Sequence, residues 1–485
     1  MNPLIAVAPY LGLIAMAMSG FHLVPVAVSY IHDDGAAPVF LFSMGVNVAT
    51  GLFMWIATRR YKASLNARDG ILMVVLAWAG GAAFATIPLL WLVPGLSFTD
   101  AYFETVSGLT TTGSTVLSGL DDLPPSLNIW RGLLVWLGGM GIVVLAVAIL
   151  PLLGVGGRQI MRAETPGPMK DTQLTPRITE TAKGLWVVYA LITVACFIAF
   201  HLAGMSWLDA LMHTFSTMGL GGFSSHDASF GYFDSVAIEA VAIGFMLIAG
   251  INFGSHFLAF RTRSLAPYRR DPEARLFLLA VLASCVGIAA FLVHAGTYDD
   301  FLTALRYASF NLVSIATTTG FANTDYNLWP VFAPMWMLFL CSFVSCSGST
   351  GGGVKMIRAQ LLAVQVYREF IKLLHPRAVT PLKLNDQVVE NKVIFAVLAF
   401  MFVYISCIVT MTLALMASGL EPISAFSAIV ASINNTGPGL NAVGPATTYA
   451  VLTDFQTWVC TFAMLVGRLE LFTLLVVFTP AFWRK

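Results

Sequence analysis

Apolar runs of about 20 residues, the length a helix needs to cross a hydrocarbon core, recur from one end of this chain to the other. Of its 485 residues, 58% are hydrophobic and only 11% charged, more apolar surface than a soluble core can hide. Lipid offers the backbone no hydrogen-bond partners, so a spanning chain is either a helix bundle or a closed barrel. Runs this continuous are helices. The sequence predicts an all-α polytopic membrane protein.

The net charge of +1 gives no sign of a nucleic-acid partner, but the placement of charge is informative. Lys and Arg crowd into 59–68, 158–183, 261–275 and 355–392, with Arg484 and Lys485 at the end, while acids dominate 33–34, 100–122, 209–234, 299–325 and 421–454. By the positive-inside rule the basic segments and both termini are cytoplasmic and the acidic segments external. The opening stretch lacks a basic leader, so it reads as a first membrane helix. The six cysteines show no metal-ligand spacing and read as small buried hydrophobes.

An internal repeat organises the rest. Four polar stops, Thr110-Thr111-Thr112-Gly113, Gly219-Leu220-Gly221-Gly222, Thr317-Thr318-Thr319-Gly320 and Asn434-Asn435-Thr436-Gly437, are spaced by 109, 98 and 117 residues and all fall on the external side. Twelve residues before each final glycine stands alanine (Ala101, Ala210, Ala308, Ala425), and six before it stand Ser107, Ser216, Ser314 and Ala431. Each stop follows a run of about ten residues, near 15 Å of helix, which is half a bilayer. Such a segment must enter and turn back, and this is tolerated only inside protein or around a water-filled cavity. The pattern predicts four helix–pore half-helix–helix repeats around a central pore, plus two extra N-terminal helices. That makes ten full spans and four half-helices. Boundaries are expected at 1–66 for the N-terminal pair, then 67–157, 158–266, 267–385 and 386–485 for the repeats.

A cation leaving water needs oxygens in place of its hydration shell, and rings of backbone carbonyls can supply them. Turning successive carbonyls inward calls for the positive φ that glycine adopts freely. The half-helix C-termini add about −0.5 charge each, and external acids concentrate cations. No ring of carboxylates lies within the stops, so a monovalent ion is favoured.

These residues carry a resemblance. With "TTTGST", "GLGGFSSHD", "TTTGFAN" and "NNTGPGL", and with "WLGGMGIVVLAVAILP", "AGINFGSHF", "SCSGSTGGGVKMIR" and "GRLELFTLL", the chain resembles the membrane subunit of the Trk/Ktr potassium transporters over nearly its whole length. The extra N-terminal helices point to the TrkH/TrkG branch. The resemblance implies a bacterial inner-membrane protein taking up K+, with no organic cofactor on this chain. It implies filter carbonyls from Thr111, Thr112, Leu220, Gly221, Thr318, Thr319, Asn435 and Thr436, each pair preceding Gly113, Gly222, Gly320 or Gly437. It also implies a homodimer and a separate cytosolic, nucleotide-binding regulatory ring of the TrkA type. The second stop departs most, having no hydroxyl or amide side chain.

The segment 345–355 interrupts what reads as the third repeat's last helix, because its glycines (Gly348, Gly351, Gly352, Gly353) each cost a helix nearly 1 kcal/mol relative to alanine. A phosphate loop is disfavoured by Val354 and Met356 flanking Lys355 and by the lack of a preceding strand. A structural kink and a mobile loop below the filter remain; the latter is the segment's role in the similar family. Arg468, read as lying midway along the last helix, belongs in the bundle interior. A pore-facing position is favoured over a pair with Glu470, because residues two apart point to different faces. Arg131 is expected to snorkel at a helix end. For Arg306 a place at the pore mouth and a pair with Asp299 or Asp300 stay open, and His226 and Asp227 fit either loop or mouth. His213, aligned with Glu104 and Asn311, reads as helix packing. The rival function is an ion-coupled symporter (H+ or Na+), disfavoured by the absence of an inverted repeat and of any carboxylate deep in a span. An enzyme is disfavoured because HExxH and GxSxG are lacking.

Overall fold

The computed structural model describes residues 3–60, 66–149, 178–377, 381, 383–384 and 387–484. The expected boundary at 157/158 and most of the basic segment 158–183 lie outside the described residues. The described chain is helical apart from a two-residue antiparallel pair, Lys383–Leu384 with Gln387–Val388.

The N-terminal pair comes first. Pro3–Ser19 runs on through a short 3-10 turn into Leu23–His32, and Ala37–Thr58 returns beside it. They cross closely because Gly12 and Gly51 face each other: a Cβ on Gly12 would stand 2.5 Å from the Gly51 carbonyl oxygen, and one on Gly51 2.6 Å from that of Gly12. Lipid supplies no hydrophobic drive between helices, so such small-residue contacts hold them together.

Four short helices follow at the repeat spacing: Phe98–Leu109, Trp207–Gly219, Phe301–Ala316 and Pro422–Ile433, with 12, 13, 16 and 12 residues. They are longer than the ten residues read from the sequence because their caps lie further upstream. Ser97, Ser206, Asp300 and Glu421 accept from the amides of Asp100, Asp209, Thr303 and Ser424 at 3.1, 3.1, 2.9 and 2.9 Å. Each thus satisfies an amide that the first helical turn leaves free. The alanines twelve before the glycines, Ala101, Ala210, Ala308 and Ala425, are all fully buried.

Of the ten full spans expected, several are broken. Among the described residues six helices are long and apolar enough to cross a membrane unbroken, and two further pairs do so only across a bend. Val236–Gly250 meets Phe253–Thr262 at 94°, and Asp454–Arg468 meets the following segment at 117°. In the third repeat the helix stops at Phe343 and resumes at Met356. Helices after the stops therefore break repeatedly, each at a glycine- or polar-rich stretch that cannot carry the ladder across.

Two apolar clusters make the core: one built mainly from the first and fourth repeats, the other mainly from the second and third. Glycines allow the helices after the first and fourth stops to approach their half-helix ends. A Cβ on Gly138 would overlap the Leu109 carbonyl oxygen, and one on Gly467 that of Ile433. Gly141, by contrast, has its nearest neighbour, the Trp78 ring, at an ordinary 3.5 Å. Gly138→Ala is expected to lower the stability of the purified protein by about 1–3 kcal/mol, the usual penalty of overpacking, while Gly141→Ala stays near wild type. Thermal melts in detergent check the contrast.

Candidate functional site

The half-helices all end in the same way. Thr111, Leu220, Thr318 and Asn435 adopt left-handed φ values of 55°, 56°, 61° and 54°. The amide of the next residue then reaches back to the carbonyl six before the glycine: Thr112 to Ser107 at 2.8 Å, Gly221 to Ser216 at 3.0 Å, Thr319 to Ser314 at 2.7 Å and Thr436 to Ala431 at 2.8 Å. The left-handed residue itself bonds three back, to Gly108, Thr217, Ile315 and Ser432 at 2.9, 3.3, 3.0 and 3.1 Å. Together these bonds form the double-bonded helix terminus whose left-handed position is usually glycine. Here no glycine stands at any of the four. The strain of a left-handed non-glycine residue persists only where its surroundings over-determine it.

The four final glycines close a ring. A Cβ on Gly113 would collide with the Gly221 carbonyl oxygen, one on Gly222 with that of Thr319, one on Gly320 with that of Thr436, and one on Gly437 with that of Thr112, all under 3.0 Å. Each repeat's penultimate carbonyl thus rests on a neighbouring repeat's glycine, and the fourth returns to the first. The glycines also have positive φ, from 57° at Gly222 to 102° at Gly437. Outside the ring lies a cavity of about 200 Å³ bordered by Gly113, Gly222, Gly320 and Pro438, one residue from each repeat.

The side chains explain the departure of the second stop. Thr112 and Thr319 point their hydroxyls back to Thr110 and Thr317 at 2.8 and 2.7 Å, and these two bond the Val106 and Val313 carbonyls at 2.7 Å. Asn434 bonds Val430 at 2.9 Å in the same fashion. Those side chains brace the turn from behind. The second repeat has Gly219 there because Val135 of the preceding repeat's helix comes too close for any side chain. Loss of the hydroxyl leaves the backbone path unchanged.

Beneath the ring, on the side of the half-helix C-termini, lies the glycine-rich loop. The amide of Gly352 donates to Thr318 Oγ1 at 2.8 Å, Thr350 Oγ1 donates to the Met218 carbonyl at 3.0 Å, and Gly351 packs on the Thr317 carbonyl. A Cβ on Gly352 would overlap the Asn434 carbonyl oxygen. Gly348 packs against Asn252, and Gly353 against the Cys341 carbonyl. Lys355, with φ of 68°, folds back to donate to the Gly351 carbonyl at 2.7 Å. Buried Glu273 accepts from both the amide and the hydroxyl of Ser347 and from the Ile357 amide, at 3.2, 3.1 and 2.9 Å, pinning both ends of the loop.

Arg468 is not midway along a helix but the last residue of Asp454–Arg468, at the bend. Nor does it pair with Glu470. It donates to the Thr350 carbonyl of the loop at 2.8 Å and to the Gly138 carbonyl of the first repeat at 2.7 Å. A buried guanidinium needs acceptors; the non-helical loop offers the Thr350 carbonyl, and Gly138, having no side chain, leaves its helical carbonyl open to a second donor. Glu470 instead pairs with Arg358 at 2.5 Å.

Two further readings are corrected. Arg131 does not snorkel; it is buried and paired with Glu104 at 2.9 Å. Arg306 pairs with neither Asp299 nor Asp300 but with Glu239 and Asp234, both at 2.8 Å. Buried carboxylates therefore exist, yet Glu104 and Glu239 each have an arginine. His213 packs as expected, buried against Phe230, Phe233 and Phe321, and its Nε2 also meets Ser224 Oγ at 2.9 Å. His226 and Asp227 belong to the mouth: both border the outer cavity, and Asp227 accepts from the Gly119 and Leu120 amides of the first repeat at 2.8 and 3.2 Å.

The comparisons with known proteins fit this geometry. The family model described as TrkH, cation transport protein, matches residues 36–485. The chain belongs to the TrkH family. It is 47% identical over 477 residues to the Trk system potassium uptake protein TrkH of Halomonas elongata, covering 98% of each chain. It is 36% identical over 468 residues to TrkG of Escherichia coli, covering 96% of this chain and 95% of that one. The crystal structure of the potassium transporter TrkH from Vibrio parahaemolyticus superposes with a TM-score of 0.90 at 42% identity, covering all of both chains. Members of this family are multi-pass membrane transport proteins, and this chain is one.

At the mouth, His226 bridges Asp121 of the first repeat and Asp209 of the second, the latter at 3.1 Å, with Tyr232 stacked on its ring and His213 beside it. Burial disfavours its charged form, but the hydrogen bonds and charges of the two aspartates outweigh this and hold its pKa above the ordinary value. The clasp therefore stabilises fully below about pH 6.5 and fades as pH rises through the raised value. The melting-temperature gap between wild type and His226→Gln is expected to be widest near pH 6 and to narrow as pH rises through the raised value. A gap independent of pH would refute the charged clasp.

Proposed function

We propose that this chain takes up potassium across the bacterial inner membrane through the ring at Gly113, Gly222, Gly320 and Gly437. The carbonyls of Thr111, Thr112, Leu220, Gly221, Thr318, Thr319, Asn435 and Thr436 are its K+ ligands. The closure of the ring, each glycine seated on a neighbouring repeat's carbonyl, is the observation that carries the reading. A ring of peptide oxygens replaces the hydration shell of a monovalent cation without fixed charge. The Thr112 and Thr319 hydroxyls turn back toward their own helices and Thr318 Oγ1 accepts from the Gly352 amide, which favours the peptide oxygens as ligands at those positions. The names of the relatives, Trk system potassium uptake proteins at 44–47% identity, favour K+ as the cargo.

The loop 345–355 acts as the gate. It fills the place below the ring where an ion stripped of water would stand, and Arg468 locks it by bonding Thr350 on the loop and Gly138 of the adjoining first repeat. A positive charge there also repels a descending cation. Opening requires those two bonds to break and the loop to withdraw on its hinges. The driving force comes from a separate cytosolic nucleotide-binding ring of the TrkA type acting on a homodimer, as the family resemblance implies.

Potassium-uptake rescue in a transport-deficient host tests the ring. Alanine at Gly113, Gly222, Gly320 or Gly437 is expected to abolish rescue or to admit Na+, because each new methyl meets a carbonyl oxygen. Rescue at wild-type rate with unchanged K+ preference in all four would sink the filter. Arg468→Ala is expected to raise resting K+ flux by about tenfold, the effect of removing ~1.4 kcal/mol from the closed state. Resting flux equal to wild type would deny Arg468 the gate.

A further inference from the structure

We infer that Glu104 and Arg131 are positioning residues that hold the first two walls of the ring in register and thereby set ion discrimination. The inference rests on the filter reading above. The observation begins with a position common to the repeats. Nine residues before the ring glycine stand Glu104, His213, Asn311 and Ala428. Three of these four reach outward to the extended segment just past the glycine. Glu104 accepts from Thr115 Oγ1 at 2.9 Å and from the Val116 amide at 3.0 Å; His213 meets Ser224 Oγ at 2.9 Å; Asn311 donates to Asn323 Oδ1 at 2.6 Å. Ala428 has no polar group, and its neighbour Ser427 takes over, accepting from the Leu440 amide at 2.8 Å. Every half-helix is thus strutted to its own outer wall.

The first strut is different in kind because it is charged and reaches two repeats. Arg131 donates Nε to Glu104 at 2.9 Å and Nη2 to Thr115 Oγ1 at 3.3 Å. Its Nη1 donates to the Ser224 carbonyl of the second repeat and to Asn128, both at 3.1 Å, and the guanidinium lies over Phe223 at 4.4 Å. Thr115 and Ser224 each lie two residues past their ring glycine, so one guanidinium grips both outer walls at the same level. Glu104 and Arg131 are each only 1% exposed. Burying two charges is a poor way to gain stability, since well-packed apolar residues usually do as well or better. A planar, multi-donor cation is, however, a good way to fix distances. The second stop, which lacks the hydroxyl brace of the first and third, is the one to which Arg131 reaches. Loosening this seam lets the Thr112 and Gly221 carbonyls separate, and a ring of weaker fit discriminates less between K+ and smaller Na+.

The test is ion selectivity in cells expressing the full chain with its regulatory partner, normalised to the protein present in the membrane. Glu104→Gln and Arg131→Met are each expected to raise the Na+:K+ uptake ratio about tenfold, a ~1.4 kcal/mol change in relative preference, and the double variant no further than the worse single. A purely structural role would lower the amount of protein, or the uptake of both ions alike, with an unchanged ratio; that outcome overturns the inference. Should neither charge variant reach the membrane, Thr115→Val carries the test, since it keeps the ion pair while removing the hydroxyl between the two. A raised ratio supports the strut and an unchanged one refutes it. Gly113→Ala serves as reference. If it too leaves selectivity unchanged, the filter itself is misplaced; if it shifts selectivity while Glu104→Gln does not, only the strut fails.

Discussion

The structure depends on one contact made four times, a peptide oxygen of one repeat lying against the α-carbon of a neighbouring repeat's glycine. No side chain mediates it, so its geometry is as stiff as the backbone that carries it. Everything nearby is arranged to deliver those four oxygens to one level. The half-helices are capped at their outer ends, their alanines allow close burial, and their last turns finish with the same pair of hydrogen bonds. Non-glycine residues accept left-handed torsions to make that ending possible. Strain of this kind survives only when packing on every side leaves no alternative, and here the residues concerned are wholly buried.

Because the contact is between backbones, side-chain chemistry at the stops is free to differ. Threonine, glycine and asparagine precede the ring in different repeats, and the path of the chain is the same. What varies is the bracing behind it. Hydroxyl pairs serve the first and third stops, an amide serves the fourth, and the second is pressed against Val135. Fourfold geometry is therefore built from unequal parts. Ionic interactions sit in that outer scaffold: Glu104 with Arg131, Arg306 with Glu239, His226 with two aspartates. Each ties one repeat to another or a half-helix to its outer wall.

The inner side follows a different rule. Three of the helices that succeed the stops are broken, at Gly250–Phe253, at Phe343–Met356 and at Arg468–Leu471. The loop between Phe343 and Met356 has carbonyls without helical partners, and Arg468 and Lys355 take up two of them, at Thr350 and Gly351. The loop is anchored by backbone and side-chain bonds to all of its neighbours, and its glycines let it lie directly against their carbonyls.

The sequence by itself determined the membrane setting, the four stops and their spacing, because composition and period are properties of a string. It also made the ring glycines and the loop 345–355 visible, since clustered glycines weaken a helix and so mark where an apolar run must break. Partners were beyond its reach. Arg131 looked like a helix-end cation, Arg306 a candidate for its local aspartates, and Arg468 a residue in mid-helix. Only the tertiary structure paired Arg131 with Glu104, Arg306 with Glu239, and Arg468 with two carbonyls from distant repeats. The left-handed torsions at Thr111, Leu220, Thr318 and Asn435 were equally hidden, because a string of residue types carries no record of the packing that forces them. The physical reason is common to all: a charge or a strained torsion is satisfied by whatever the fold brings alongside, and that neighbour lies tens to hundreds of residues away.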